Sequence, residues 1–156
     1  MEPQFCFIKE SYFRERTNYV KMLDAGNTQK QSGRTHLCIK VEVGIHEYYI
    51  PLRNNLGDAV RKFGRIGHAV PSAKRKNAGL DFRYALIVDD EKYIEKQTEK
   101  KIPESQYRLI KNEYETIKRE FEIYINGYKK ALKKKRHLKE PLYKESCLVN
   151  FIDVIG

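Results

Sequence analysis

Between Pro103 and Arg136, apolar residues fall at positions 107, 110, 114, 117, 121, 124, 128 and 132. The steps of three and four put them along one side of a helix, with a near-heptad period. No other feature constrains the fold as tightly, because a strip of Tyr, Ile, Phe and Leu this long has to be covered. Pro103 suits the first helical position and Glu104 the positive end of the helix dipole. At 1.5 Å per residue the segment would run about 51 Å, longer than a small domain, so the helix is expected to project or to break. Asn126-Gly127 is the expected weak point, since an interior glycine costs about 1 kcal/mol.

The first two thirds of the chain read mostly as strands. Gln4 to Lys9 is a short apolar stretch, and Glu10 to Asp24 suits one or two short helices. The segment from Ala25 to Gly33 is polar and reads as a loop. From Thr35 to Val43 the pattern alternates, with Leu37, Ile39, Val41 and Val43 on one side and His36, Cys38, Lys40 and Glu42 on the other. Gly44-Ile45-His46 reads as a turn and Glu47 to Leu52 as the returning strand of a hairpin. Pro51 has no N–H to donate, which puts it at the strand's end or on a sheet edge. Ile66 to Val70 is a further short strand, Pro71 to Gly79 a basic loop, and Leu80 to Val88 a longer alternating strand stopped by Asp89-Asp90. After Pro141 a short closing helix or strand runs to Phe151. There are no internal repeats and no linker, so residues 1–156 are expected to form one α+β domain.

Charge narrows the partners. The 156 residues carry a formal net charge of +10, which attracts polyanions. The excess is concentrated. Six basic residues (Arg61, Lys62, Arg65, Lys74, Arg75, Lys76) lie between 61 and 76 with no acid among them, and seven more (Lys129, Lys130, Lys133, Lys134, Lys135, Arg136, Lys139) lie between 129 and 139. Such runs read as a phosphate footprint, against the plainer reading of a solvated face. The longest apolar runs are far short of a membrane span, and the N-terminus lacks the pattern of a secretory signal. Three scattered cysteines, Cys6, Cys38 and Cys147, argue for a reducing, cytoplasmic setting.

Several chemistries find no support. The four histidines, His36, His46, His68 and His137, are dispersed, and no Cys-x-x-Cys or His-x-x-x-His spacing occurs, so no metal or other cofactor is expected. There is no phosphate loop ending in Lys-Ser or Lys-Thr and no Gly-x-Ser-x-Gly elbow. What is available is chemistry that needs cations, hydrogen-bond donors and an imidazole. RNA carries its own nucleophile, the 2′-hydroxyl, so a nuclease needs only to hold the scissile phosphate, stabilise its charge and move protons. His36 and Lys40 share a face of one strand, Arg34 lies just upstream, and Arg53 and Asn54 end the paired strand. These make a candidate phosphate pocket with His36 as acid or base. The alternative for His36 is a hydrogen-bonded sheet residue.

At this point the chain resembles a known family. Phe5-Cys-Phe-Ile-Lys-Glu-Ser-Tyr12, Tyr48-Tyr-Ile-Pro-Leu52, Gly79-Leu-Asp-Phe82, Ile102-Pro-Glu-Ser-Gln-Tyr107 and Cys147-Leu-Val-Asn-Phe151 are similar, in order and spacing, to type III toxin–antitoxin toxins of the ToxN/AbiQ family, and closest to its CptN branch. The resemblance implies a strongly bent antiparallel sheet or barrel-like core, as in the MazF and Kid toxins, surrounded by helices. It implies a sequence-selective, metal-independent endoribonuclease that leaves a 2′,3′-cyclic phosphate and a 5′-hydroxyl. The implied partners are cellular or phage RNA substrates and a small pseudoknot RNA antitoxin, which alternates with the toxin in a closed heteromeric assembly.

The family's early tyrosine falls on Tyr12, its basic residue before the hairpin on Arg34, and its hydroxyl pair on Arg53 and Asn54. Neither of that last pair carries a hydroxyl. Arg53 is able to clamp a phosphoryl oxygen and Asn54 to donate to it, while the lost hydroxyls strengthen the case for His36 as proton carrier. Tyr12 and Tyr107 are candidates for stacking on unpaired bases. Lys40, His68, Lys74, Arg75 and Lys76 are candidates for gripping RNA. Asp81 is a candidate base or an ion-pair partner of Arg83. Two other readings stand beside this one: a non-catalytic basic RNA-binding module, and a protein-interaction module built on the helical stripe.

Overall fold

A computed structural model describes residues 3–23, 37–57, 66–96 and 102–155. At its centre β2 (Cys38–Val43) and β3 (His46–Arg53) form the expected hairpin, paired from Cys38↔Pro51 to Val43↔His46. That register leaves a two-residue turn, Gly44-Ile45. Gly44 has φ +62°, the left-handed backbone that such turns require at their first central position. β1 (Phe5–Ile8) pairs with β2, and β7 (Ile94–Lys96) pairs with β1. On the other side β3 meets β6 (Leu86–Ile87) and then β5 (Gly79–Asp81), to which β4 (Gly67–Ala69) adds.

The seven strands form one antiparallel sheet of order β4-β5-β3-β2-β1-β7, with β6 beside β3. The expectation of a barrel-like core is corrected here. Among the described strands no pairing joins β4 to β7, so the sheet stays open.

Two strand expectations change for physical reasons. Pro51 lies inside β3, a central strand, and not at an edge. Tyr48 and Tyr49 pair with β6 while Leu52 and Arg53 pair with β5, so Pro51 falls where the partner changes and its missing N–H leaves no ladder position empty. The single strand expected over 80–88 is broken by a 3₁₀ turn at Phe82–Tyr84. Asp81 causes the break: its carboxylate accepts from the Arg83 backbone N–H, 3.1 Å, and holds the chain in a capped turn.

Among the described residues four α-helices surround the sheet: α1 (Glu10–Arg14), α2 (Glu104–Asn112), α3 (Tyr114–Lys133) and α4 (Ile152–Ile155). The long stripe is thus two helices, and the break falls at Glu113 (φ −104°, ψ 12°) instead of Gly127. Tertiary contacts override local propensity at both places. His68 on β4 reaches Glu113 at 2.7 Å and Glu120 at 2.6 Å, which pins the joint. At Gly127 the Tyr143 ring lies against the helix so closely that a Cβ would strike its hydroxyl.

The stripe covers the protein's own sheet, which corrects the reading of it as a protein-interaction face. Ile110, Tyr114, Ile117, Phe121 and Tyr128 are buried. The Phe121 ring packs 5.1 Å from Tyr48 and 5.3 Å from Phe82. Each such large side chain contributes roughly 1.5–3 kcal/mol by leaving water. No described helix is long and apolar enough to cross a membrane.

The three cysteines are buried and none is in a disulfide. Burial pushes the Cys6 thiol up to about 12 and raises Cys38 and Cys147 as well, so none presents a thiolate. At Gly79 β5 leaves no room for a side chain beside β4. A Cβ there would lie 2.5 Å from the His68 carbonyl oxygen and collide with the Leu56 side chain. Gly79→Ala is expected to cost about 1–3 kcal/mol, seen as a lower denaturant midpoint at unchanged slope.

Candidate nucleic-acid interface

One end of the sheet opens into a cleft of about 700 Å³. Phe7 and Leu52 form its apolar floor, with Leu37 where the chain enters β2. The turn carrying Ser72, Lys74 and Arg75 forms one wall, the start of α2 (Ile102, Pro103, Ser105, Gln106) the other, and Asn54 stands at the end of β3. The basic wall is a tight turn. The Ser72 N–H donates to the Arg75 carbonyl at 3.1 Å, the Arg75 N–H to the Ser72 carbonyl at 3.2 Å, and the Ser72 hydroxyl accepts from the same N–H. The facing wall is tied to it by the Gln106 side-chain amide, which donates to the Val70 carbonyl at 2.7 Å.

The electrostatics of the cleft favour an anion. Among the described residues no carboxylate pairs with Lys74 or Arg75, and both are exposed. The N-terminus of α2 brings the positive end of its dipole to the same space. Ser72, Ser105 and Asn54 add neutral hydrogen-bond donors. This is a place for a phosphate chain lying against an apolar floor. Among the described residues no three His, Cys, Asp or Glu side chains gather as metal ligands.

The expected site residues divide into those the cleft gathers and those it does not. Asn54, Lys74 and Arg75 line it, and Lys76 is exposed beside them. Arg34 and His36 lie outside the described residues, three and one positions before Leu37. Arg53 does not join Asn54. Leu52 turns into the cleft, and the strand's alternation sends Arg53 to the opposite face. There its guanidinium donates to Asp81 at 3.0 Å and lies 5.3 Å from the centre of the Tyr84 ring.

Asp81, with 0% exposure, also accepts from Arg83 Nε at 3.0 Å and Nη2 at 2.8 Å. Burial works against the Arg83 charge, but the Asp81 hydrogen bonds and charge outweigh it and hold its pKa above the ordinary value. The expected Asp81–Arg83 pair is present. Four donors occupy the carboxylate, an arrangement that suits a structural anchor better than a base.

Three of the residues expected to contact RNA already have partners within the protein. Tyr12 is 1% exposed, with its hydroxyl donating to the Ile87 carbonyl at 3.1 Å, so it offers no face to a base. Lys40 lies between Glu47 at 3.1 Å and Glu42 at 3.5 Å. Burial lowers its pKa, and these carboxylates more than reverse that. His68 is committed to Glu113 and Glu120. Tyr107 is half-buried, its ring 5.6 Å from Phe5. The sequence reading missed Ser72, Ser105 and Gln106. The signal available for two of them was Pro103-Glu104, which marks a helix start and therefore an exposed dipole end.

No protein-family model matches this chain, and no curated protein matches it by sequence. Solved structures do match in fold. A structure of AbiQ, a lactococcal anti-phage endoribonuclease belonging to a type III toxin–antitoxin system, superposes with a TM-score of 0.68 at 17% identity, covering 98% of this chain and 94% of that one. A structure from a bacterial type III system, in which a non-coding RNA pseudoknot selectively inhibits the toxin, superposes with a TM-score of 0.59 at 13% identity, covering 99% and 90%. The chain therefore has the fold of these type III toxin–antitoxin proteins over nearly its whole length.

Proposed function

We propose that this protein is a metal-independent, sequence-selective endoribonuclease toxin of a type III toxin–antitoxin system, of the CptN branch, silenced in the cytoplasm by a small pseudoknot RNA. The observation that carries the reading is the fold shared end to end with an anti-phage endoribonuclease. The cleft supports it, because its unpaired cations and helix N-terminus stand over an apolar floor. In the proposed reaction the 2′-hydroxyl of the nucleotide before the cut attacks the adjacent phosphorus. The O2′–P bond forms, the P–O5′ bond breaks, and the products are a 2′,3′-cyclic phosphate and a 5′-hydroxyl. One proton leaves O2′ and one reaches O5′.

Asn54, Lys74 and Arg75 hold the non-bridging oxygens and offset the charge that develops on them. Arg34 and His36 come from the segment that leads into Leu37 on the cleft floor. Arg34 adds a third cation and His36 moves a proton. RNA incubated with the protein in EDTA is expected to be cut, with 2′,3′-cyclic phosphate and 5′-hydroxyl ends. Cleavage lost to chelator, or 5′-phosphate ends, would overturn the mechanism. Expression together with the upstream DNA is expected to yield a discrete small RNA bound to the protein.

One observation favours a second reading, a non-catalytic RNA-binding module: Arg53, at a position carried over from the family's reactive pair, is held by Asp81 away from Asn54. That reading predicts strongly salt-dependent RNA binding with no products after long incubation.

A further inference from the structure

A second groove, of about 620 Å³, shares no residue with the cleft. It lies along the outer face of α3, between β4 at Gly67, the 3₁₀ turn at Phe82 and the ring of Tyr143. Glu120, Ile123, Gly127, Lys130 and Lys134 follow one another at helical spacing and share this face. Their character is graded along the helix. At one end Glu120 is held by His68. In the middle Ile123 is 57% exposed, unusual for an isoleucine on a helix otherwise packed against its sheet.

At the other end come Lys130, Lys133 and Lys134, with Lys129, Lys135 and Lys139 beside them. Among the described residues no carboxylate pairs with any of these six lysines, and only Arg136 in this region has one, Glu140 at 3.2 Å. Helix-dipole complementation explains a lysine or two in the last turn, but not a cluster of six on a helix end.

The walls are shaped as well as charged. Phe82 and Tyr124 close the floor behind Ile123, their rings 5.9 Å apart. Tyr143 stands against them, 5.3 Å from Tyr124 and 5.7 Å from Tyr128, in a position that only the missing side chain of Gly127 permits. Asn126 offers an amide at the rim. A guest suited to this surface has a flat apolar body with a polar edge, and an anion attached on one side only. A carboxylate at the anion's wrong end enforces the direction. An unpaired nucleotide has these properties, whereas an apolar peptide would leave the lysines unused.

We propose that this groove is a second RNA subsite that receives one unpaired nucleotide, its base against Ile123 and Tyr143 and its phosphates on Lys130, Lys133 and Lys134. The inference rests on the reading of the protein as RNA-binding, but not on cleavage. α3 rises about 30 Å over its 20 residues. The cleft is lined by the start of α2 and the groove by α3 from Glu120 onward, so an RNA held at both has to pass from one helix to the other, and this subsite selects for an unpaired position away from the scissile phosphate.

The test uses the full chain and two fluorescent 2′-O-methyl RNAs that cannot be cut, one with an unpaired loop and one fully duplexed, read by anisotropy at several salt concentrations. K133E/K134E is expected to weaken both probes and to lower the magnitude of the salt slope by about 1 to 2. Ile123→Ser and Asn126→Ala, both at exposed positions, are expected to weaken the looped probe by about threefold to tenfold and to leave duplex affinity and both salt slopes unchanged.

Equal losses on both probes, or no loss from Ile123→Ser and Asn126→Ala, would overturn the subsite and leave only a diffuse cationic field. Unchanged affinity in K133E/K134E would overturn it as well. Wild-type binding without cleavage of ordinary RNA would remove the nuclease reading and leave this test standing. Wild-type protein that binds neither probe would end both.

Discussion

Asp81→Ala is expected to destabilise the protein by about 3–5 kcal/mol, the cost of stripping the anion from a buried ion-pair cluster. The carboxylate is fully buried and takes donors from Arg53, from the Arg83 side chain twice, and from the Arg83 backbone. Removing it leaves Arg83 charged and half-buried with the Leu56 carbonyl, 3.3 Å away, and the Tyr84 ring, 5.4 Å from its guanidinium carbon, in place of an anion. It also removes the cap of the 3₁₀ turn that separates β5 from β6. Equilibrium unfolding in urea measures the loss.

The companion experiment replaces Asp81 and Arg83 together, by Asn and Met. That double variant is expected to lose less than Asp81→Ala alone, because the buried Arg83 charge goes with its partner and the asparagine oxygen still accepts from Arg53, whose side chain reaches solvent. A loss below about 1 kcal/mol for Asp81→Ala would show that water reaches the cluster and that the anchor is not buried in solution.

His36→Gln is expected to lower the cleavage rate constant by a factor of about 10² to 10⁴, the range for a general acid or base. Glutamine preserves the size and a hydrogen-bonding end, but it cannot carry a proton between O2′ and O5′. The readout is single-turnover cleavage at saturating protein, so that a change in RNA affinity does not register as a change in chemistry. The pH profile adds a second check: a rate limited by the imidazole loses its inflection near neutrality in the variant. A rate constant equal to the wild type's would remove His36 from the mechanism and leave Arg34, Lys74 and Arg75 to act by charge and Asn54 by hydrogen bonding.

How far the fold was legible follows from which interactions are local. The β2–β3 hairpin was readable because alternation and a two-residue Gly turn fix both faces and register within about sixteen residues. The helical stripe was readable because eight apolar positions keep one helical spacing. Its break was not, since the joint at Glu113 is set by His68, 45 residues earlier, and the soundness of Gly127 depends on Tyr143. The alternation over 80–88 misled because Phe82 and Tyr84 keep the pattern of a strand while Asp81, by accepting from the chain two residues on, bends it into a turn.

The same division holds at the site. The two basic runs were plain in the sequence, and so was a helix beginning at Pro103. That Lys74 and Arg75 face that helix across a cleft was not, because the tie is one side-chain amide bridging 36 residues, from Gln106 to Val70. Nor does spacing reveal that Tyr12 and Lys40 are already occupied, since their partners Ile87 and Glu47 come from other strands.

The ties between β4 and the helices have a mechanical consequence. Gln106 bolts the head of α2 to the chain just past β4, and His68 rivets β4 itself to the joint and to the first turns of α3. The jaws of the cleft are thus braced at three points before any guest arrives. A strand entering it meets a gap of fixed width, so association should follow one exponential phase whose rate is set by diffusion and salt, with no slow step for the jaws to adjust.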